Sequence, residues 1–304
     1  MRNAMTLVGF FFLALVWGGC GSSSEGESAT DSSSDTASDT AASAETLEEV
    51  AGDADASSVD SNGTIGSVHL ITLGDSLTEG VGDSEWTDDG VPVGYPGRLT
   101  TLLADRGQLV ELSNLGRSGW TSAEMVNGNE WEEDGASQLD LAIPLVQSAV
   151  TSGTTTVVCV WIGSNDLFGL YSWCHAPDNA DCEAEDLTQF RGNIDKTLKD
   201  LTAAGATVQI ALLDDQSLRP VMTDPKYADA FSEIGASDKA LMSAQVVRYN
   251  EAIAELATKY GAETVDFYST TLFQEDAMLA EDGNHPNGSG YDTIAAIWNA
   301  AIDL

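Results

Sequence analysis

The 304-residue sequence predicts an α/β fold, a three-layer α/β/α sandwich around one mostly parallel sheet of five strands. Three observations predict it. Apolar, β-branched runs alternate with amphipathic stretches, as βαβ units require. The third and fourth runs are almost wholly apolar, the pattern of parallel strands covered on both faces. Gly107, Gly153, Gly205 and Gly261 each follow a helical pattern and precede a strand, where helix stop signals belong.

Taken in order, the first strand is expected over 68–73, the run Val-His-Leu-Ile-Thr-Leu, and a helix over 96–106. A strand at 109–113 and a helix at 136–151 follow, then a strand at 155–162 and a helix at 186–203. The strand at 207–213, the helix at 237–260, the strand at 263–267 and the helix at 288–302 complete the pattern. Two connections, 82–95 and 166–185, are longer than the topology needs and read as loops at the strand ends, where function concentrates. They hold the aromatic residues Trp86, Tyr95, Phe168, Tyr171 and Trp173, of which Trp86, Phe168, Tyr171 and Trp173, with Trp120, are candidates to line a substrate surface. The alternative is that they pack their own loops. Trp161, inside the third strand, reads as core.

Residues 1–20 read as a targeting segment. Arg2 supplies a positive start, and the apolar run from Leu7 to Trp17 is too short for a comfortable transmembrane helix, which needs about 20 residues. Gly18-Gly19-Cys20 follows, and the whole resembles a bacterial lipoprotein signal, which implies Cys20 as the lipid-modified N-terminus. Trp17 departs from that pattern, where an aliphatic residue is usual, and a plain secretory signal is the other reading. Gly21, in place of an aspartate associated with inner-membrane retention, points toward the outer membrane or cell surface of a Gram-negative bacterium.

Residues 21–62 read as a disordered acidic tether. Ser, Thr, Ala, Gly, Asp and Glu dominate, Lys and Arg are missing, and Val50 and Val59 are too isolated to build a core. The folded domain is expected over 63–304. The chain holds 49 Asp and Glu against 12 Lys and Arg, a formal net charge of −37. The tether holds 11 of the acids and Arg2 lies before it, so the folded part keeps 38 acids against 11 basic residues, near −27. That excess opposes nucleic acid and anionic lipid as partners, so contact with a membrane is expected through the lipid anchor only. A monomer is expected. Cys159 reads as a buried core thiol, and Cys174 and Cys182 flank a short polar loop in an exported chain, which suggests a local disulfide. A metal clip using His175 is the weaker alternative, because no thiolate-rich spacing supports it.

Ser76 follows the first strand in Gly74-Asp75-Ser76-Leu77, while Asp282 and His285 lie three apart near the C-terminus. A serine hydroxyl is a weak nucleophile until a base accepts its proton, and histidine is the usual base. Of the three histidines, His69 lies inside the first strand and His175 between the paired cysteines. His285 alone has a carboxylate, Asp282, at a spacing that could orient its ring. A tetrahedral intermediate also needs donors. The Ser76 N–H, a glycine of the Gly116–Gly119 turn and the Asn165 amide could supply them, all at C-terminal strand ends, where open α/β sheets bind ligands.

Four blocks in order carry a resemblance to the SGNH (GDSL-type) hydrolases. They are Gly74-Asp75-Ser76-Leu77, Asn114-Leu115-Gly116-Arg117-Ser118-Gly119, Gly163-Ser164-Asn165-Asp166 and Asp282-Gly283-Asn284-His285. The resemblance implies a flavodoxin-like sandwich and cleavage of esters or thioesters with no cofactor and no metal. It implies Ser76 as nucleophile, Asp282 and His285 as its triad partners, and Ser76, Gly119 and Asn165 as oxyanion donors. Gly116 competes with Gly119, which the Ser-Gly-x-Thr context favours, and Asp75 and Asp166 are expected to brace loops. The Gly-x-Ser-x-Gly elbow of other α/β hydrolases is not present, since Thr78 fills its last position. Three functions remain open. They are an esterase for short acyl or O-acetyl carbohydrate esters, a lysophospholipase or thioesterase, and an inactive glycan-binding lipoprotein.

Overall fold

The computed structural model describes residues 66–175 and 179–304. The expected signal, Cys20 and the tether lie outside the described residues. The elements run β1 (Ser67–Gly74), α1 (Ser76–Glu79), α2 (Gly94–Asp105), β2 (Leu109–Asn114), α3 (Ser122–Asn127), α4 (Gln138–Ser152) and β3 (Thr155–Trp161). They continue with α5 (Ser164–Trp173), α6 (Asn179–Ala204), β4 (Thr207–Leu212), α7 (Pro220–Thr223), α8 (Ala236–Tyr260), β5 (Glu263–Asp266) and α9 (Gly288–Ala301).

The five strands pair in the order β2-β1-β3-β4-β5, and every pairing is parallel. This is the doubly wound order of flavodoxin-like sheets, whose crevice opens at the carboxyl ends where the winding reverses. Helices α2 and α9 pack together on one face, and α3, α4, α6 and α8 form the other layer. Central strands β1 and β3 are buried along almost their whole length, which explains their unbroken apolar sequence. An aromatic cluster fills the layer beneath the β1 and β3 ends. Trp161 stacks on Phe267 at 4.1 Å, and Tyr95 stacks on Trp298 at 5.8 Å. Each such ring buried contributes about 1.5–3 kcal/mol of transfer free energy.

The stretch 166–185 is not a loop. Residues 164–173 form α5, and α6 begins at Asn179 rather than at 186. Leu167, Leu170 and Tyr171 recur at helical spacing and are buried, a signal that Gly169 obscures. Helix α3 is likewise new, and its capping box, Thr121 with Glu124, is written in the sequence. The other long connection, 82–93, is a true loop. Buried Asp83 binds the Arg98 guanidinium at 2.5 and 3.1 Å and accepts the Gly94 N–H at 2.8 Å, fixing the loop to α2.

Candidate active site

Because all strands run the same way, the segments leaving β1, β2 and β3 share one edge with the loop before α9. Ser76 begins α1, so no carbonyl one turn back receives its N–H. Asp75 caps that turn, its Oδ1 accepting the Leu77 N–H at 3.0 Å. Gly74 cannot be another residue here, since a Cβ would lie 2.1 Å from the Trp161 carbonyl oxygen and 2.3 Å from Thr78 Oγ1. The Gln138 amide holds the same peptide from α4. Its Oε1 accepts the Gly74 N–H and its Nε2 donates to the Gly74 carbonyl, both at 2.8 Å.

His285 Nε2 lies 2.9 Å from Ser76 Oγ, and its Nδ1 lies 2.6 Å from Asp282 Oδ2. Asp282 Oδ1 accepts the N–H groups of Asn284 at 2.9 Å and His285 at 3.0 Å, so the loop wraps its own carboxylate. Burial would raise the Asp282 carboxyl, but the His285 ring and these two N–H groups outweigh it and hold the pKa down to about 2. Serine, imidazole and carboxylate thus stand in hydrogen-bonded series, with Ser76 only 8% exposed.

The second and third blocks join the same cluster. The Arg117 N–H donates to the Gly74 carbonyl at 3.0 Å, and Asn165 Nδ2 donates to the Trp120 carbonyl at 2.9 Å, next to Gly119. Gly119 adopts φ +80°, with open space where a Cβ would stand. Gly116 differs: a Cβ there would meet the Glu79 nitrogen at 2.4 Å. Its requirement is close packing against α1, while that of Gly119 is backbone conformation on an open side.

Asp75 is buried and Asp166 half-buried, and both are occupied in loop bonds. Burial pushes Asp75 up to about 7, against the Leu77 N–H bond and the charges of Arg219 and His285. Its Oδ2 has no hydrogen-bond partner among the described residues. Burial pushes Asp166 up to about 6, although Ser122 donates to it through N–H at 2.9 Å and Oγ at 2.5 Å.

The aromatic candidates divide. Trp86 and Trp173 are 61% and 60% exposed. Trp120, Phe168 and Tyr171 do not line an open surface. Trp120 is buried and its Nε1 donates to Glu132 at 3.0 Å. Phe168 stacks on Phe231 at 4.5 Å, and the Tyr171 hydroxyl donates to Glu183 at 2.6 Å. Helical α5 turns these two into the core, which a loop would not have done. Cys174 and Cys182 are joined as a disulfide, and Cys159 is a buried free thiol. His69 Nε2 pairs with Ser113 Oγ at 2.9 Å inside the sheet, and His175 Nδ1 lies 3.3 Å from Asp238. Among the described residues, no group of three or more His, Cys, Asp or Glu is placed to hold a metal ion.

Sequence reasoning missed Gln138, Arg98 with Asp83, and the buried pair Asp214–Arg219, whose Nε–Oδ2 distance is 2.8 Å. Gln138 sits where a helix start was expected and gave no signal of its own. Asp214 directly follows the apolar fourth strand, the position from which the other blocks were found.

Fold and cluster together define an α/β sandwich that gathers a serine, a histidine and a carboxylate at its strand ends. A family model, the GDSL-like Lipase/Acylhydrolase family, matches residues 72–293, and the chain belongs to that family. It is a hydrolase of ester bonds. Among solved structures, the fold is similar to a lipase from a goat rumen metagenome, at 18% identity over 77% of this chain and 97% of that one, with TM-score 0.55. It is similar to the extracellular lipase of Streptomyces rimosus, at 15% identity over 77% and 100%, with TM-score 0.52. An acetylxylan esterase from Geobacillus stearothermophilus matches at 18% identity over 79% and 96%, with TM-score 0.50. No curated protein matches the chain in sequence.

Proposed function

We propose that this hydrolase is a serine esterase that works through an acyl-enzyme. One observation carries the reading: the series Ser76 Oγ, His285 Nε2 at 2.9 Å, and Asp282 Oδ2 at 2.6 Å from Nδ1. As Ser76 Oγ attacks the acyl carbon, its proton passes to His285 Nε2, and Asp282 holds Nδ1–H and stabilises the imidazolium. The oxyanion receives the N–H groups of Ser76 and Gly119 and the Asn165 amide. That amide nitrogen carries two N–H bonds, so the one given to Trp120 leaves another for the intermediate. His285 then protonates the departing alcohol. It next takes a proton from water, which attacks the acyl carbon, and returns that proton to Ser76 Oγ as the Oγ–acyl bond breaks and the acid leaves. A fluorophosphonate should label the protein at Ser76, located by peptide mass mapping. Label on another serine, or none, would contradict the assignment.

Short acyl or O-acetyl esters are the substrates this reading favours, with acetylated carbohydrate as one source. The acidic folded part is repelled by anionic lipid surfaces, and exposed Trp86 and Trp173 offer flat faces of the kind sugar rings stack on. A second reading, cleavage of longer acyl chains from lysophospholipids or thioesters, is favoured by one observation. A cavity of about 340 Å³ has Val221, Met222, Phe231 and Ile234 in its wall, beside the polar Asp224 and Lys239. It adjoins the Asp282–His285 loop, because the Val221 N–H donates to the Gly283 carbonyl at 2.9 Å. Both solved lipases and the acetylxylan esterase share the fold, so their names do not choose. Turnover of p-nitrophenyl esters from C2 to C12, beside acetylated xylan and lysophospholipid, does. A maximum at C2 with release of acetate from xylan supports the first reading, and a maximum at C8 or beyond supports the second. We further propose that Cys20 anchors the enzyme at the cell surface and that the acidic segment 21–62 holds it away from the membrane, with secretion as the alternative.

A further inference from the structure

The segment following β4 contributes no member of the serine–histidine–aspartate series, yet it reaches both neighbouring blocks. Arg219 donates through Nε and Nη2 to the two Asp214 oxygens at 2.8 and 2.7 Å, and both side chains are almost wholly buried. Its remaining nitrogen, Nη1, donates to Asn284 Oδ1 at 2.8 Å, and the guanidinium lies 4.5 Å over the Phe273 ring. Two residues on, the Val221 N–H donates to the Gly283 carbonyl at 2.9 Å. Gly283 and Asn284 are the two residues between Asp282 and His285. On the other side, Gln216 Nε2 donates to Ser164 Oγ at 3.3 Å, beside Asn165.

The geometry is directional. A guanidinium is a rigid planar fork, so two bonds to Asp214 and a stacked ring fix the direction of the third donor. That donor fixes the Asn284 side chain, and the Asn284 main-chain N–H in turn binds Asp282 Oδ1. The link therefore runs from Arg219 through Asn284 to the carboxylate that faces the imidazole. Replacing a buried ion pair by apolar residues of the same volume is often neutral for stability, so the inference rests on what this pair's third donor holds rather than on its stabilising effect.

We infer that Arg219, clamped by Asp214, is a positioning residue for the Asp282–His285 pair, acting through Asn284. The inference rests on the triad reading above. Among the described residues, the charged groups that act on the imidazole include Asp282 on its own loop and Asp75 at the end of β1, and Asp75 in turn feels Arg219 after β4. Asn284→Ala removes the acceptor and alters none of these charges. Arg219→Lys keeps the charge but cannot serve Asp214 and Asn284 in the same planar geometry.

The test measures kcat and KM for p-nitrophenyl acetate from pH 5 to 9, with a thermal melt for each variant and Ser76→Ala as control. Asn284→Ala should lower kcat about tenfold, with KM within about twofold and the melt within a few degrees, since small misplacements of catalytic groups cost factors of this size. The acid limb of kcat/KM should move to lower pH, because a looser Asp282 contact stabilises the imidazolium less. Arg219→Lys should shift both quantities in the same direction, and adding Asn284→Ala to it should cost little more, because the two share one link. Wild-type kcat and an unmoved acid limb in Asn284→Ala would overturn the inference. If Ser76→Ala is inactive in that experiment, the triad reading survives the failure; if Ser76→Ala remains active, the triad reading itself has failed.

Discussion

Asp75 occupies an unusual position beside Ser76. It is a carboxylic acid with no solvent contact, one oxygen spent on capping α1 and the other without a partner among the described residues. Burial raises its pKa to about 7, above the 3.8 of a free aspartate. The folded chain therefore holds a proton there that the unfolded chain has lost, so stability is highest below pH 4 on this account and falls as pH rises toward 7. Asp166, raised to about 6, acts with the same sign, whereas Asp282, lowered to about 2, stabilises above pH 4 and loses that contribution as pH falls toward 2. Asp75→Asn keeps the acceptor for Leu77 and removes one titration. Its melting temperature relative to wild type should rise steadily between pH 5 and 8. A difference that does not change with pH would show that Asp75 ionises normally in the folded state.

Helix α5 shows what an element contributes beyond its motif. It starts at the Gly163–Asp166 block and carries Asn165 toward Trp120, while its far side buries Phe168 against Phe231. Phe168→Ala should cost about 3–5 kcal/mol of stability, the range for deleting a buried phenylalanine, and leave KM for a short ester within twofold. A stable variant with a raised KM would return Phe168 to the substrate surface. The same helix marks the limit of what was legible in the sequence. The five strands and five long helices follow from period and stop signals, and their ends agree with those observed mostly to within two residues. The start of α6, at Asn179 instead of 186, is the exception. Ser76, Asn165, Asp282 and His285 were visible because each follows or precedes a regular element at the strand edge. Helix α5 was not, because Gly169 and the polar start Ser164-Asn165-Asp166 weaken its pattern. The supporting side chains Gln138 and Arg98 could not be read, since their partners lie 64 and 15 residues away and only packing pairs them, and Arg219, although five residues from Asp214, reaches Asn284 across 65.

At the scale of the whole molecule, parallel winding is what makes the site. Ser76 and His285 are 209 residues apart, yet a sheet whose strands all point one way delivers their segments to one edge. The excess of 49 Asp and Glu over 12 Lys and Arg acts at the same scale, and we propose that its field opposes nucleic acid and anionic lipid while leaving small neutral esters unaffected. Both features bear on which substrates arrive; neither performs the reaction, which the account assigns to one hydroxyl. The most direct test is the turnover of p-nitrophenyl acetate by Ser76→Ala, measured beside its thermal melt. Ser76→Ala should lose nearly all turnover, leaving at most the residual rate that oxyanion donors and binding supply, with a melt like that of wild type. Turnover near the wild-type rate in a folded Ser76→Ala protein would contradict that assignment.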